Sequence, residues 1–267
     1  MALVPFPSSS VPDDYDDRPS DSSDDAGAKM SFLEHLDELR KRLIGCAYSL
    51  LFGCVIGFIF VGRIQEFIMV PLVERLPNHK MIFTSGFEPF LLMMKIGALA
   101  GLMVASPLII WQLWLFIAPG LYTNEKRFAI PFIFFSTIFF LLGAAFSHFI
   151  AFPWAWDFFI SWETSYMEFL PDIKPMFGTY VKMLLAFGVV FQMPTLVFFL
   201  ARMGVVTGWF LVKHTKYAIL IIFIVAAVLS PGTDVVSQAL MAGPMLGLYA
   251  FSILVAYIFQ KRKPAEA

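Results

Sequence analysis

Ser31-Phe32-Leu33-Glu34-His35-Leu36-Asp37-Glu38-Leu39-Arg40-Lys41-Arg42-Leu43 decides the fold, because it runs unbroken into the uncharged stretch 43–62. Phe32, Leu36, Leu39 and Leu43 recur at i, i+4, i+7 and i+11, one apolar stripe at helical spacing. Ser31 with Glu34 three residues later has the form of an N-cap and capping box. Asp37 and Glu38 stand four residues before Lys41 and Arg42, the favourable order for helix side-chain pairs. The pattern fits a membrane-surface helix whose basic end fixes topology. It fits equally a helix that offers Glu38 to a cation from outside, and the pattern leaves both readings open.

Composition sets the class around this stretch. The 267 residues are 59% hydrophobic, include 31 Phe and have a mean hydropathy of +0.76, too apolar for a soluble domain of this size. Nothing in a net charge of -1 points to nucleic acid. Cys46 and Cys54 are eight residues apart in one apolar run. On a helix that is roughly 12 Å along the axis, too far for a disulfide.

Six uncharged stretches follow, 43–62, 96–121, 128–156, 183–201, 217–233 and 235–260. A helix needs about 20 apolar residues to cross the hydrocarbon core, and the first four meet or approach that length. Ser230-Pro231-Gly232-Thr233-Asp234 breaks the last pair. The expected fold is therefore an all-α integral membrane protein with six transmembrane helices, spans five and six short, and both termini on one side. Arg40, Lys41, Arg42, Lys126, Arg127, Arg202, Lys213, Lys216, Lys261, Arg262 and Lys263 lie on that side. Arg63, Arg75, Lys80, Lys95, Lys174 and Lys182 lie on or near the other. The positive-inside rule thus places both termini in the cytoplasm. Two outer loops, about 63–86 and 153–176, carry Pro71, Pro77, Pro153, Pro171 and Pro175, with Trp154, Trp156 and Trp162 as an interfacial belt.

Residues 1–30 form an acidic tail, with Asp at 13, 14, 16, 17, 21, 24 and 25 against Arg18 and Lys29. Such a segment buries too little apolar surface to offset its chain entropy and is expected to be disordered. It lacks the basic and apolar regions of a signal peptide. Residues 31–260 are expected to form the membrane domain, and 261–267 a basic C-terminal tail.

Polar groups at membrane depth are the default place to look for function. Gln192, two residues before Pro194, sits inside span four, where proline frees a carbonyl and the amide offers donors to neighbouring helices. Asp234, Ser237 and Gln238 gather where span six starts, the plain structural reading being a capped helix N-terminus. Glu88 and Lys95 share a face at the start of span two. Glu125 has Arg127 nearby, a surface pair worth about 0 to 1 kcal/mol. No phosphate-binding G-x-x-x-x-G-K-[ST] loop is present, and His35, His79, His148 and His214 have no metal-ligand spacing. No cofactor, metal or catalytic constellation is expected. Ser85 and His148 are the residues that a membrane hydrolase would have to use. A proton- or ion-coupled secondary transporter of a small solute is the alternative class, though no inverted repeat stands out.

The run Glu34-His35-Leu36-Asp37-Glu38-Leu39-Arg40-Lys41-Arg42-Leu43 closely resembles the HLxELRxRL signature that opens the TatC family, the multispanning receptor subunit of the twin-arginine protein translocase. The resemblance continues through Trp111-Gln112-Leu113-Trp114-Leu115-Phe116-Ile117-Ala118-Pro119-Gly120-Leu121-Tyr122 to Glu125-Lys126-Arg127. It returns in Phe191-Gln192-Met193-Pro194 and in the stretch from Ser230 to Gln238. Each match is modest, but their order and number are specific, and together they cover about residues 31–260.

The resemblance implies a non-enzymatic protein of the bacterial cytoplasmic (inner) membrane. Such a protein binds twin-arginine signal peptides and, with single-span TatA- and TatB-type partners, exports folded proteins using the protonmotive force. It also implies homo- and hetero-oligomers in contact with membrane lipid. Glu38 and Glu125 would meet the two arginines, whose guanidinium forks match planar carboxylates. Arg40, Phe116, Pro119 and Arg127 would shape that site. Gln192, Ser230, Pro231, Asp234 and Gln238 would form the docking region for partner helices. Gln192 matches a position often occupied by Glu in the family, and an amide there cannot carry a proton.

Overall fold

The computed structural model describes residues 22–76, 79–117, 129–230, 232 and 234–260, with side chains from residue 34 onward except at 117 and 129–131. The chain divides into two compact units, residues 1–41 and 42–267. Helices dominate throughout. They are α1 (Ser22–Ile59), α2 (Val61–Val73), α3 (Glu88–Ile117), α4 (Ala129–Phe146), α5 (Phe152–Ile160), α6 (Ile173–Val190), α7 (Met193–Arg202), α8 (Gly208–Lys213), α9 (Thr215–Leu229) and α10 (Val235–Phe259). A π-helical turn, Ser147–Ala151, joins α4 to α5.

Five stretches are long and apolar enough to cross a membrane: Glu34–Ile59, Glu88–Phe116, Phe132–Ile160, Ile173–Arg202 and Val235–Phe259. The fifth expected span, Thr215–Leu229, has 15 residues. It rises about 22 Å, short of a hydrocarbon core of about 30 Å. The sixth was expected to be short as well, but α10 is 25 residues long and continues through Pro244. Proline leaves one carbonyl without its helical donor, yet the apolar turns on either side carry the helix past it.

Three local expectations are corrected. Helix α1 begins at Ser22, so Ser31 lies within the helix and not at its start, and residues 22–30 of the expected disordered tail are helical. Ser22, Ser23, Asp24 and Asp25 are residue types favoured at a helix start, and Ala26 and Ala28 propagate it. The first outer loop is partly helical, because Ile64, Ile68, Leu72 and Leu76 make a stripe at i+4 spacing that buries Ile68, Leu72 and Leu76. Pro71 sits in the last turn of that helix. Trp156 does not join the interfacial belt. It is 5% exposed and packs on Phe152 and Phe169, whereas Trp154 and Trp162 stay exposed.

Close packing without bulk holds the spans together, as it must where lipid offers no hydrophobic drive between helices. Gly53 and Gly57 of α1 face Gly97 and Gly101 of α3. A Cβ on Gly57 would lie 2.6 Å from the Gly101 nitrogen, and one on Gly101 would lie 2.8 Å from Cys54 Sγ. Gly143 of α4 meets α6 the same way, a Cβ there falling 2.9 Å from the Gly188 Cα. The main core collects Ile96, Phe177, Tyr180, Met183, Phe187, Met241 and Met245. A smaller cluster of Val197, Ala201 and Ala256, with Leu211 against it, joins α7, α8 and α10.

Span four is interrupted. Phe191 and Gln192 separate α6 from α7, with Pro194 in the first turn of α7. At its other end α7 closes with Gly204 in the left-handed region (φ +77°). The Gly204 and Val205 amides donate there to the Ala201 and Leu200 carbonyls, the paired bonds of a glycine-terminated helix. The outer loops are laced together. The Ile82 amide donates to the Pro171 carbonyl, the Ile173 amide donates to that of Ile82, and Arg75 Nη1 donates to Asp157 Oδ2 at 2.6 Å.

Candidate functional site

Glu38 and Arg40 stand on α1 at the head of the first span, Glu38 half-buried and Arg40 exposed. Phe116 is half-buried at the end of α3. Pro119, Glu125 and Arg127 lie outside the described residues.

What positions the start of that inner loop is described. Trp114 of α3 sits 3.8 Å, centroid to centroid, from Phe132 of α4 and 4.9 Å from Phe199 of α7, with edge-on geometry that suits the ring quadrupoles. Gln112 of α3 lies against Gly45 of α1, where a Cβ would fall 2.9 Å from the amide carbon. Gln112 and Trp114 thus act through packing, with Trp114 clamping three helices at their inner ends.

The second predicted set divides between two places. Asp234 N-caps α10, its Oδ2 accepting from the Ser237 amide and its Oδ1 from the Ser237 hydroxyl at 2.7 Å. Those bonds, the amide first and the hydroxyl next, hold the Asp234 carboxyl below the ordinary aspartate range. The Ser230 hydroxyl donates to Ser237 Oγ at 2.8 Å, so Ser237, 2% exposed, is the hub of the cluster. Gln238, one residue on, donates from Nε2 to the Phe223 carbonyl and ties α10 to α9. Pro231 lies outside the described residues. Gln192 is elsewhere: its Nε2 donates at 2.8 Å to the Ser136 carbonyl on α4, fastening the break in span four to span three.

Glu88 is held by the residues just before it. The Thr84 amide and hydroxyl donate to its two carboxylate oxygens, and its own amide donates to the Ser85 carbonyl. His148 is buried in the π-helical turn, shares a 3.1 Å hydrogen bond with Tyr180 and stacks on Phe67. A cavity of about 350 Å³, lined almost wholly by apolar side chains, opens beside it. Among the described residues no three His, Cys, Asp or Glu side chains converge in a way that could hold a metal ion.

Residues 34–244 match the family described as Sec-independent protein translocase protein (TatC). The chain is 41% identical over 239 residues to the Sec-independent protein translocase protein TatC of Desulforapulum autotrophicum, covering 89% of this chain and 88% of that one. It is 38% identical over 252 residues to the protein of that name from Koribacter versatilis, covering 92% and 93%. Among solved structures it resembles the crystal structure of a twin arginine translocase receptor, TatC, at 36% identity and a TM-score of 0.73, covering 83% of this chain and 97% of that one. A structure of the receptor in the detergent DDM gives a TM-score of 0.76 at the same identity.

Proposed function

The chain belongs to the TatC family of Sec-independent protein translocase proteins, a transport family rather than an enzyme family, and we propose from that premise that it is a receptor for twin-arginine signal peptides. It is a multi-pass protein of the bacterial cytoplasmic membrane. Glu38 and Glu125 take the two guanidinium groups, Arg40, Phe116, Pro119 and Arg127 shape the pocket, and single-span TatA- and TatB-type partners complete a translocase for folded cargo. The protonmotive force drives transport. Partner helices dock on the side chains of Gln192, Ser230, Pro231, Asp234 and Gln238.

The observation that carries this reading is a half-buried carboxylate, Glu38, on a helix that leads straight into the first span. An arginine pair is the cation that best suits such a group, because a planar guanidinium fork meets a carboxylate with two parallel hydrogen bonds. The test is photocrosslinking from positions 38 and 125 to a model signal peptide. Glu38→Ala and Glu125→Ala are each expected to weaken crosslinking strongly, as is exchanging the peptide's arginines for lysines. A charged hydrogen-bonded contact is worth roughly 1.5 to 3 kcal/mol. Equal crosslinking in all three cases would remove both glutamates from the site.

A further inference from the structure

The described end of α7, the short helix α8, the start of α9 and the end of α10 are tied into one corner. Tyr249 of α10 donates from its hydroxyl to the Leu211 carbonyl of α8 at 2.7 Å, and the Gly208 amide donates to Gln260 Oε1 at 3.2 Å. The Tyr257 ring fills the place where a Gly208 Cβ would stand, 2.6 Å from its Cγ. Leu211 packs inward on Val197, Ala201 and Ala256, so α8 turns its other face out.

That outer face has a distinct chemistry. Trp209 is 68% and Tyr217 54% exposed, and Lys213 and Lys216 are exposed beside them. Lys216 Nζ stands 5.0 Å from the Tyr217 ring centroid. No Asp or Glu occurs anywhere from Ile173 to Thr233, or from Val235 to Ala265. The sequence continues from Gln260 into Lys261-Arg262-Lys263. This is the side that the lysine and arginine distribution assigns to the cytoplasm.

We propose that the α8–α9 corner binds anionic phospholipid, with Lys213 and Lys216 taking the phosphodiester headgroup and Trp209 and Tyr217 seated at the boundary with the acyl chains. Lysine stems lie along apolar surface while their ammonium groups reach the phosphate plane. Tryptophan and tyrosine bring an apolar body and a polar tip to the same depth. The short α9 gives the corner a reason to exist. A 15-residue helix does not reach both headgroup planes by itself, and cationic anchors at its inner end hold that end in register with one of them.

The inference does not depend on signal-peptide binding, and its test uses the full chain in detergent. Native mass spectrometry counts phosphatidylglycerol or phosphatidylcholine retained as lipid is titrated. Lys213→Gln/Lys216→Gln is expected to lower the affinity for phosphatidylglycerol about thirty-fold, from roughly tenfold or less per lysine at a membrane surface. Lys213→Arg/Lys216→Arg is expected to retain it, and Lys80→Gln on the opposite side is expected to change nothing. Soluble glycerol phosphate is expected not to displace the lipid. Undiminished phosphatidylglycerol in the glutamine variant would overturn the proposal. So would equal retention of phosphatidylcholine or displacement by the free headgroup.

Discussion

Replacing Gly57 with alanine tests how closely the first two spans are joined. The new Cβ would lie 2.6 Å from the Gly101 nitrogen and 3.1 Å from its Cα, both backbone atoms that cannot rotate away. Carbon contacts are comfortable at about 3.5–4.0 Å, so α1 and α3 must part there by roughly 1 Å. Overpacking of this kind costs about 1–3 kcal/mol, offset by about 1 kcal/mol of helix propensity gained on leaving glycine. The net expectation is a destabilisation of up to about 2 kcal/mol. Gly247 on α10 is the internal control, since a Cβ there meets nothing within 4 Å outside its own chain neighbours. Gly247→Ala should therefore gain about 0.5–1 kcal/mol. Denaturant titration of the detergent-solubilised protein, followed by far-ultraviolet circular dichroism, gives the sign for each variant. Stabilisation of similar size in both would refute the claim that Gly57 and Gly101 set the separation of these helices.

Gln192→Leu removes the donor to the Ser136 carbonyl and should cost about 0.6 kcal/mol, the average for hydrogen bonds between membrane helices, and at most about 1.7; Gln192→Glu, when ionised, has no proton to donate and should lose the same bond. Tyr180→Phe leaves buried His148 without its partner and should cost about 1–3 kcal/mol, while adding His148→Phe should recover part of that loss, as read by the same titration. For Asp234 the folded carboxyl sits below its ordinary value, so its contribution is present above the ordinary aspartate value and fades as pH falls through the depressed one. Asp234→Ala should erase that acid-side dependence, which thermal unfolding across an acidic pH series would detect.

The membrane class and most of the spans were legible because they rest on run length and composition, which tertiary contacts do not alter. Asp234 was legible as a cap for a related reason: capping uses a residue's own next turn. Gln192 announced that it needed a partner, but the partner is the Ser136 main chain, and a carbonyl leaves no mark on a sequence. Trp156 shows the complementary limit, for the belt pattern fixes which residues are aromatic and packing decides which way each turns. Pro71 drew attention to a loop, while the Ile64-Ile68-Leu72 stripe around it carried the stronger helical signal. Gly53 and Gly57 against Gly97 and Gly101 form a small-xxx-small pattern on both helices, legible in principle but diluted by glycines such as Gly62 that touch nothing. Of the candidate site, Glu38 and Glu125 rest on the family resemblance, whereas the role of Trp114 as a three-helix clamp needed coordinates.

The interruption at Phe191 and Gln192 makes the fourth crossing a jointed strut instead of a rigid rod. Its outer segment, through Phe187, is built into the large core, and its inner segment, through Val197 and Ala201, belongs to the small cluster shared with Ala256. A force applied at the cytoplasmic rim would therefore flex the joint before it disturbed the laced outer end, and the amide tether to Ser136 would be the contact that strains first.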